Sequence, residues 1–118
     1  MYNYFTNNDF RNAYPSCSIE DMNQPFLHRL DVARFHSGVP YIVNSAYRTT
    51  EHEKTKGRDG SSSHTKGLAV DLRATNARTK FKIITGLLKA GFTRIFIYDT
   101  FIHVDLDYDK DQGVLDKF

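Results

Sequence analysis

Ser62-Ser63-His64-Thr65-Lys66-Gly67-Leu68-Ala69-Val70-Asp71 is the stretch from which the rest of the 118-residue chain is read. It sets an imidazole in a Ser- and Gly-rich loop, residues 57–67, just before Leu68-Ala69-Val70. That short apolar run, bounded by turn signals, predicts a strand that ends on a carboxylate. Period-two alternation puts Ala69 and Asp71 on one face and Leu68, Val70 and Leu72 on the other. A carboxylate embedded in an apolar strand is costly unless it is paired or holds a metal. One loop nitrogen and one strand oxygen are two of the three protein ligands of a catalytic zinc site, which keeps a further position open. His103, in Phe101-Ile102-His103-Val104-Asp105, is the candidate third.

Working outward from that core, residues 93–98 and 101–107 predict two strands joined as a hairpin at Asp99-Thr100. In the second strand Ile102, Val104 and Leu106 share one face; Phe101, His103, Asp105 and Asp107 share the other. Upstream, Asn23 caps a predicted helix over 24–37 that tolerates Pro25 in its first turn and stops at Gly38. Phe26, Leu27, Leu30 and Ala33 make its apolar stripe. Val39 to Asn44 predicts a β-branched strand that leads to Arg48. That arginine is either a surface cation or a fixed clamp for a carboxylate or an oxyanion. Residues 50–63 carry no hydrophobic side chain and predict a surface loop, with His52 solvated on it. Thr75 or Asn76 caps a second helix to about Ala90, with Phe81, Ile84, Leu87 and Leu88 as its apolar face and Gly91 as its stop. Residues 1–17 read as an irregular arm, Ser18 to Asp21 as a capped turn, and 108–118 as an acidic, peripheral tail.

These elements predict an α+β fold in one domain spanning 1–118: a small antiparallel sheet with helices on one face and the metal on the other. Hydrophobic residues at 40% and charged residues at 25% suit a globular core. A net charge of +2 is too small to argue for nucleic acid. Cys17 stands alone, which excludes an intrachain disulfide and a Cys-based zinc cluster. No apolar run approaches the ~20 residues that span a bilayer, and the N-terminus lacks a basic region followed by an apolar core. No membrane insertion, cytoplasmic synthesis and a monomer are the expectations.

Each candidate ligand has an ordinary alternative: a hydrogen-bonded loop histidine, a salt-bridged aspartate, a satisfied strand histidine. Together His64, Asp71 and His103 would meet at a loop edge and one sheet face, a donor set that suits Zn²⁺. Ser62-x-His64-x-x-Gly67-x-Ala69-x-Asp71 resembles the signature of the M15 zinc peptidases, which include D-alanyl-D-alanine carboxypeptidases and cell-wall endopeptidases and share their fold with the hedgehog signalling domain. Ser45-Ala46-Tyr47-Arg48-Thr49 and Phe101-Ile102-His103-Val104-Asp105 resemble two further motifs of that family, in the same order. The resemblance implies zinc on His64, Asp71 and His103, and Arg48 over the substrate. It also implies hydrolysis of an amide bond in a peptidoglycan stem or cross-bridge peptide. The compact form resembles bacteriophage enzymes that act on the wall from inside an infected host. One position departs from the pattern: Thr100 stands where many members carry a glutamate base. Asp99 or Asp105 is then the candidate base, and with neither usable the chain would be a catalytically silent zinc module that binds a wall peptide or a protein partner.

Overall fold

The computed structural model describes residues 2–118. Its architecture is α+β. Five strands form one sheet in the order β1-β2-β4-β3-β5: β1 Val43–Ser45, β2 Ala69–Arg73, β3 Arg94–Ile97, β4 Phe101–Asp105 and β5 Val114–Lys117. Two long helices, α2 Gln24–Ser37 and α4 Ala77–Lys89, pack on each other and on the sheet; α1 Asn7–Arg11 and α3 Thr50–Thr55 are short. Leu27, Leu30 and Ala33 of α2 and Ile83 and Leu87 of α4 share one core with Val70, Leu72, Ile95, Ile102 and Val104. Among the described residues no helix is long and apolar enough to cross a membrane.

Helix α2 starts and stops where its capping residues dictate. The Asn23 side chain accepts from the Phe26 amide at 2.9 Å, Pro25 occupies the first turn, and Gly38 closes the helix at φ 69°. Helix α4 begins at the Asn76 cap, but its inward face is rotated from the predicted one. Phe81 and Leu88 are exposed, while Ile83, Gly86 and Leu87 are buried. The cause is Gly86. A Cβ there would stand 1.9 Å from Ser37 Oγ and 2.5 Å from the Ala33 carbonyl, so the two helix backbones meet at this residue. Close approach, not the largest side chains, sets the contact line.

Strands β1, β2, β4 and β3 are antiparallel neighbours, whereas β5 runs parallel to β3. The sheet is therefore mixed, and the tail expected to be peripheral adds an edge strand. The observed first strand is only three residues, Val43–Ser45, of which Val43 and Asn44 lie in the predicted stretch. Pro40 has no N–H to donate, and the ladder is irregular between Val43 and Ser45. The arm expected to be irregular contains α1, started by a reciprocal Thr6–Asp9 capping box. On the face away from α2 and α4 the register sets Asp71 opposite His103 and Phe96 opposite His103 from the other side.

Candidate metal centre

His64 lies in a 3-10 turn, Ser63–Lys66, whose conformation is fixed from three directions. Ser62 Oγ accepts from the His64 amide at 3.2 Å and starts the turn. Gly67 ends it at φ 69°, where a Cβ would lie 2.7 Å from the Asp21 carbonyl oxygen and 3.0 Å from the Asn23 nitrogen. The Asn23 amide donates to the Gly67 carbonyl at 2.9 Å, so the turn is pressed against the start of α2. Asp107, buried beyond β4, accepts from Ser63 Oγ at 2.8 Å and from Lys66 Nζ at 3.0 Å. Burial alone would raise the Asp107 carboxyl; the Ser63 and Lys66 donors outweigh it and hold it below its ordinary value.

Three side chains converge from these supports. His64 Nδ1 is 2.6 Å from the Ala46 carbonyl, which can only accept, so Nδ1 carries a proton and Nε2 is the nitrogen turned to the cluster. Nε2 lies 3.4 Å from Asp71 Oδ1. His103 Nδ1 is 3.0 Å from the same oxygen, and the two imidazole centroids are 5.3 Å apart. One ligand atom from each of His64, Asp71 and His103 falls within 4.8 Å of the others, as the three residues of a shared metal ion must. Two nitrogens and one carboxylate oxygen form a donor set that fits a zinc-like divalent ion. The outer contacts fit as well. His64 donates its other nitrogen to a carbonyl and His103 Nε2 meets Asp105 Oδ2 at 2.7 Å, the arrangement by which metal-binding imidazoles are oriented.

The electrostatics follow from burial and contact. Burial works against ionised Asp71, but the hydrogen bonds and charges of His103 and His64 prevail and hold its carboxyl well below the usual range. Burial likewise disfavours a charged His103, and the hydrogen bonds to Asp105 and Asp71 reverse that and raise it.

Arg48 faces this cluster from the segment between β1 and α3. Its amide donates to the His64 carbonyl at 3.2 Å. Its Nε donates to Ser45 Oγ at 2.9 Å, its Nη1 meets Glu53 Oε1 at 3.2 Å and its Nη2 meets Asp71 Oδ2 at 3.3 Å. Glu53 was not singled out in the sequence, because residues 50–63 read there as loop; the structure corrects this with α3. Thr49 Oγ1 caps α3 by accepting from the His52 amide at 3.0 Å. The signal that locates this helix is Thr50-x-x-Glu53, a Ser/Thr-x-x-Glu pattern lying one residue past the true cap. Glu53 is fully buried between Arg48 and Arg58, whose Nη1 is 2.6 Å from Oε2. Burial would raise its carboxyl, and the two guanidiniums lower it instead.

An open cleft of about 300 Å³ holds the cluster, with Arg48, Glu53 and Arg58 on one wall and Tyr98 and Phe101 on the other. Tyr98 and Phe101 stack at 4.4 Å, which makes the second wall a flat aromatic surface. The remaining candidates lie elsewhere. Asp99 is exposed on the β3–β4 turn, its main-chain carbonyl accepting from Lys80 Nζ at 2.7 Å, and it is not among the residues lining the cleft. Asp105 is buried behind His103 and is also bound by Arg94 Nε at 3.1 Å. His52 packs its ring against Tyr14, outside the cluster.

Comparison with curated proteins returns no match, and comparison with solved structures returns none either. The model of the family described as Peptidase M15 matches residues 5–105, which takes in every strand of the antiparallel part of the sheet and all three converging side chains. The chain belongs to the Peptidase M15 family.

Proposed function

We propose that this chain is a zinc-dependent peptidase that hydrolyses an amide bond in a peptidoglycan stem or cross-bridge peptide. The observation that carries the reading is the convergence of His64 Nε2, Asp71 Oδ1 and His103 Nδ1 in an open cleft of a peptidase-family chain. When bound there, Zn²⁺ supplies Lewis acidity toward a carbonyl oxygen and makes water acidic enough to ionise near neutral pH.

The chain's own residues supply orientation and charge. The Ala46 carbonyl and Asp105 fix the two imidazoles by their distal nitrogens. Arg48 holds Asp71 Oδ2, which leaves Oδ1 toward the histidines, and it puts a guanidinium beside the place where a carbonyl oxygen would gain negative charge. Proton transfer to the leaving amine needs a positioned acid–base side chain, and a carboxylate serves when its oxygens are not already engaged. Glu53 is neutralised by Arg48 and Arg58, and Asp105 by His103 and Arg94. Asp99, next to the cleft-lining Tyr98, is the carboxylate we assign to this step. An enzyme of this compact form acts on the wall, from within an infected host if a bacteriophage carries it.

The engagement of Glu53 and Asp105 by cations supports a second reading, a zinc module that binds a wall peptide without cutting it. One experiment separates the two. Wild type, His64→Ala and Asp99→Asn are analysed for bound metal and incubated with peptidoglycan fragments, with products read by mass spectrometry. We expect about one zinc per chain in wild type and Asp99→Asn, none in His64→Ala, and cleavage by wild type alone. Metal-replete wild type that cuts no fragment would establish the silent module.

A further inference from the structure

Glu53 anchors two guanidiniums and leaves them in different states. Arg48 is fully engaged: its three guanidinium nitrogens meet Ser45, Glu53 and Asp71, and its side chain is only 14% exposed. Arg58 is not. Its Nη1 meets Glu53 Oε2 at 2.6 Å, but its side chain is 49% exposed on the same cleft wall. Among the described residues no hydrogen bond or ion pair engages Arg58 Nε or Nη2.

The residue is nevertheless held in place. The Arg58 amide donates to the Glu53 carbonyl at 2.9 Å, and Gly57 at φ 79° turns the chain back after α3 so that this contact can form. Arg58 is therefore tied twice to Glu53, its amide to the main-chain carbonyl and its guanidinium to the buried carboxylate, and little further ordering is needed to present the free edge of the guanidinium to a ligand. A planar guanidinium edge suits two parallel hydrogen bonds to a carboxylate. The charges agree. Arg48 and Arg58 balance Glu53 and Asp71, so a divalent ion on the ligand cluster leaves this wall positive and favours an anionic ligand.

We propose that Arg58, rather than Arg48, receives a carboxylate of the bound peptide and so sets which peptides the cleft accepts. This rests on the peptidase reading for the identity of the ligand as a wall peptide. Two sources offer the same group: the chain-terminal carboxylate of a D-Ala-D-Ala end, and the free α-carboxylate of an internal D-Glu residue.

The test is a double-mutant cycle between chain and ligand. A stem pentapeptide containing L-Ala, D-Glu and a D-Ala-D-Ala end is titrated into the zinc-loaded full chain. It is used in four forms, with the terminal carboxylate, the D-Glu carboxylate, both or neither amidated. In wild type, amidating one of the two positions is expected to weaken binding about tenfold or more, as for a charge-assisted contact; which position does so identifies the source. In Arg58→Gln that ratio is expected to fall close to one, with metal content unchanged. A ratio that persists in Arg58→Gln, or that is near one in wild type, overturns the proposal. Should Arg58→Gln not fold, the wild-type Arg58 Nε–H resonance decides. It moves with the free acid and not with the amide, or the proposal fails. Mass spectrometry of the recovered peptides keeps the two readings apart. Carboxylate-dependent binding without cleavage removes the peptidase but not the Arg58 site, whereas cleavage indifferent to amidation does the reverse.

Discussion

Arg48 Nη2 and Asp71 Oδ2 form an ion pair of 3.3 Å, while the other Asp71 oxygen lies 3.0 Å from His103 Nδ1 and 3.4 Å from His64 Nε2. The two oxygens of one carboxylate thus have separate partners, a guanidinium behind and two imidazoles in front. This division explains why an aspartate is tolerated in a strand whose alternate residues, Val70 and Leu72, are fully buried.

Replacement of Arg48 by lysine tests the division of labour. A lysine keeps the charge but cannot reach Ser45, Glu53 and Asp71 at once. Arg48→Lys should retain its metal and lose about tenfold to a hundredfold in kcat/KM, the worth of a charged hydrogen bond. Steady-state kinetics on a fragment that wild type cleaves, with metal analysis of the same sample, gives the answer; unchanged kinetics would remove Arg48 from the site.

In the proposed site Asp105 would act through His103, whose Nε2 it meets at 2.7 Å. Asp105→Asn keeps a side chain of the same shape but removes the charge that meets His103 Nε2 and Arg94 Nε. Zinc affinity, measured by competition with a chromophoric chelator, should drop about 10- to 100-fold. A thermal melt of the metal-free variant close to that of wild type would show that the loss concerns the ligand rather than the fold.

Acid should act on Glu53 with a definite sign. Its carboxyl titrates lower in the folded chain than in the unfolded one, where the value is about 4.3. The stability it contributes is therefore complete above that value and is lost as the pH falls through the lower, folded value. Glu53→Gln should cost about 3 kcal/mol at neutral pH, as expected when one partner of a buried ion network is neutralised. It should also flatten the acid limb of the urea-unfolding free energy against pH. An acid limb identical to that of wild type would contradict the buried network.

Gly86→Ala tests the crossing of α2 and α4. The added Cβ meets Ser37 Oγ at 1.9 Å, the Ala33 carbonyl at 2.5 Å and the Ser37 nitrogen at 2.7 Å; the last two are backbone atoms and cannot rotate away. The helices must separate, at a cost of about 2 kcal/mol, which lowers the melting temperature by roughly 10 °C in a domain of this size. A melting temperature at or above that of wild type, as helix propensity alone would give for Gly→Ala, would mean that the helices do not meet there.

The elements legible in the sequence are those governed by local rules. Helix α2 followed from Asn23, Pro25 and Gly38, and the facing of Asp71 and His103 followed from alternation in β2 and β4. Helix α3 was not legible by hydrophobic periodicity, because it has no apolar residue; a buried glutamate between two arginines stabilises it, and that partnership exists only once the chain has folded. Strand β5 was hidden for a related reason: its pairing partner, the outer edge of β3, is supplied by the finished sheet. The inward face of α4 was misplaced because Phe81 outweighed Gly86 in the pattern, although close backbone approach needs the smaller residue. The three converging side chains are legible because each stands beside a strong local signal, whereas Glu53 is marked only by the Thr50-x-x-Glu53 pattern and Arg58 by none.

The bond from the Asn23 amide to the Gly67 carbonyl also bears on how the site assembles. The two residues lie about forty positions apart, and His103 is about as far again, so the donor set exists only after three distant parts of the chain have come together. On the proposed reading, uptake of a metal ion would then report the completed fold. Metal binding and resistance to unfolding should rise together with the concentration of the ion, because an ion held only by the folded state displaces the folding equilibrium toward it.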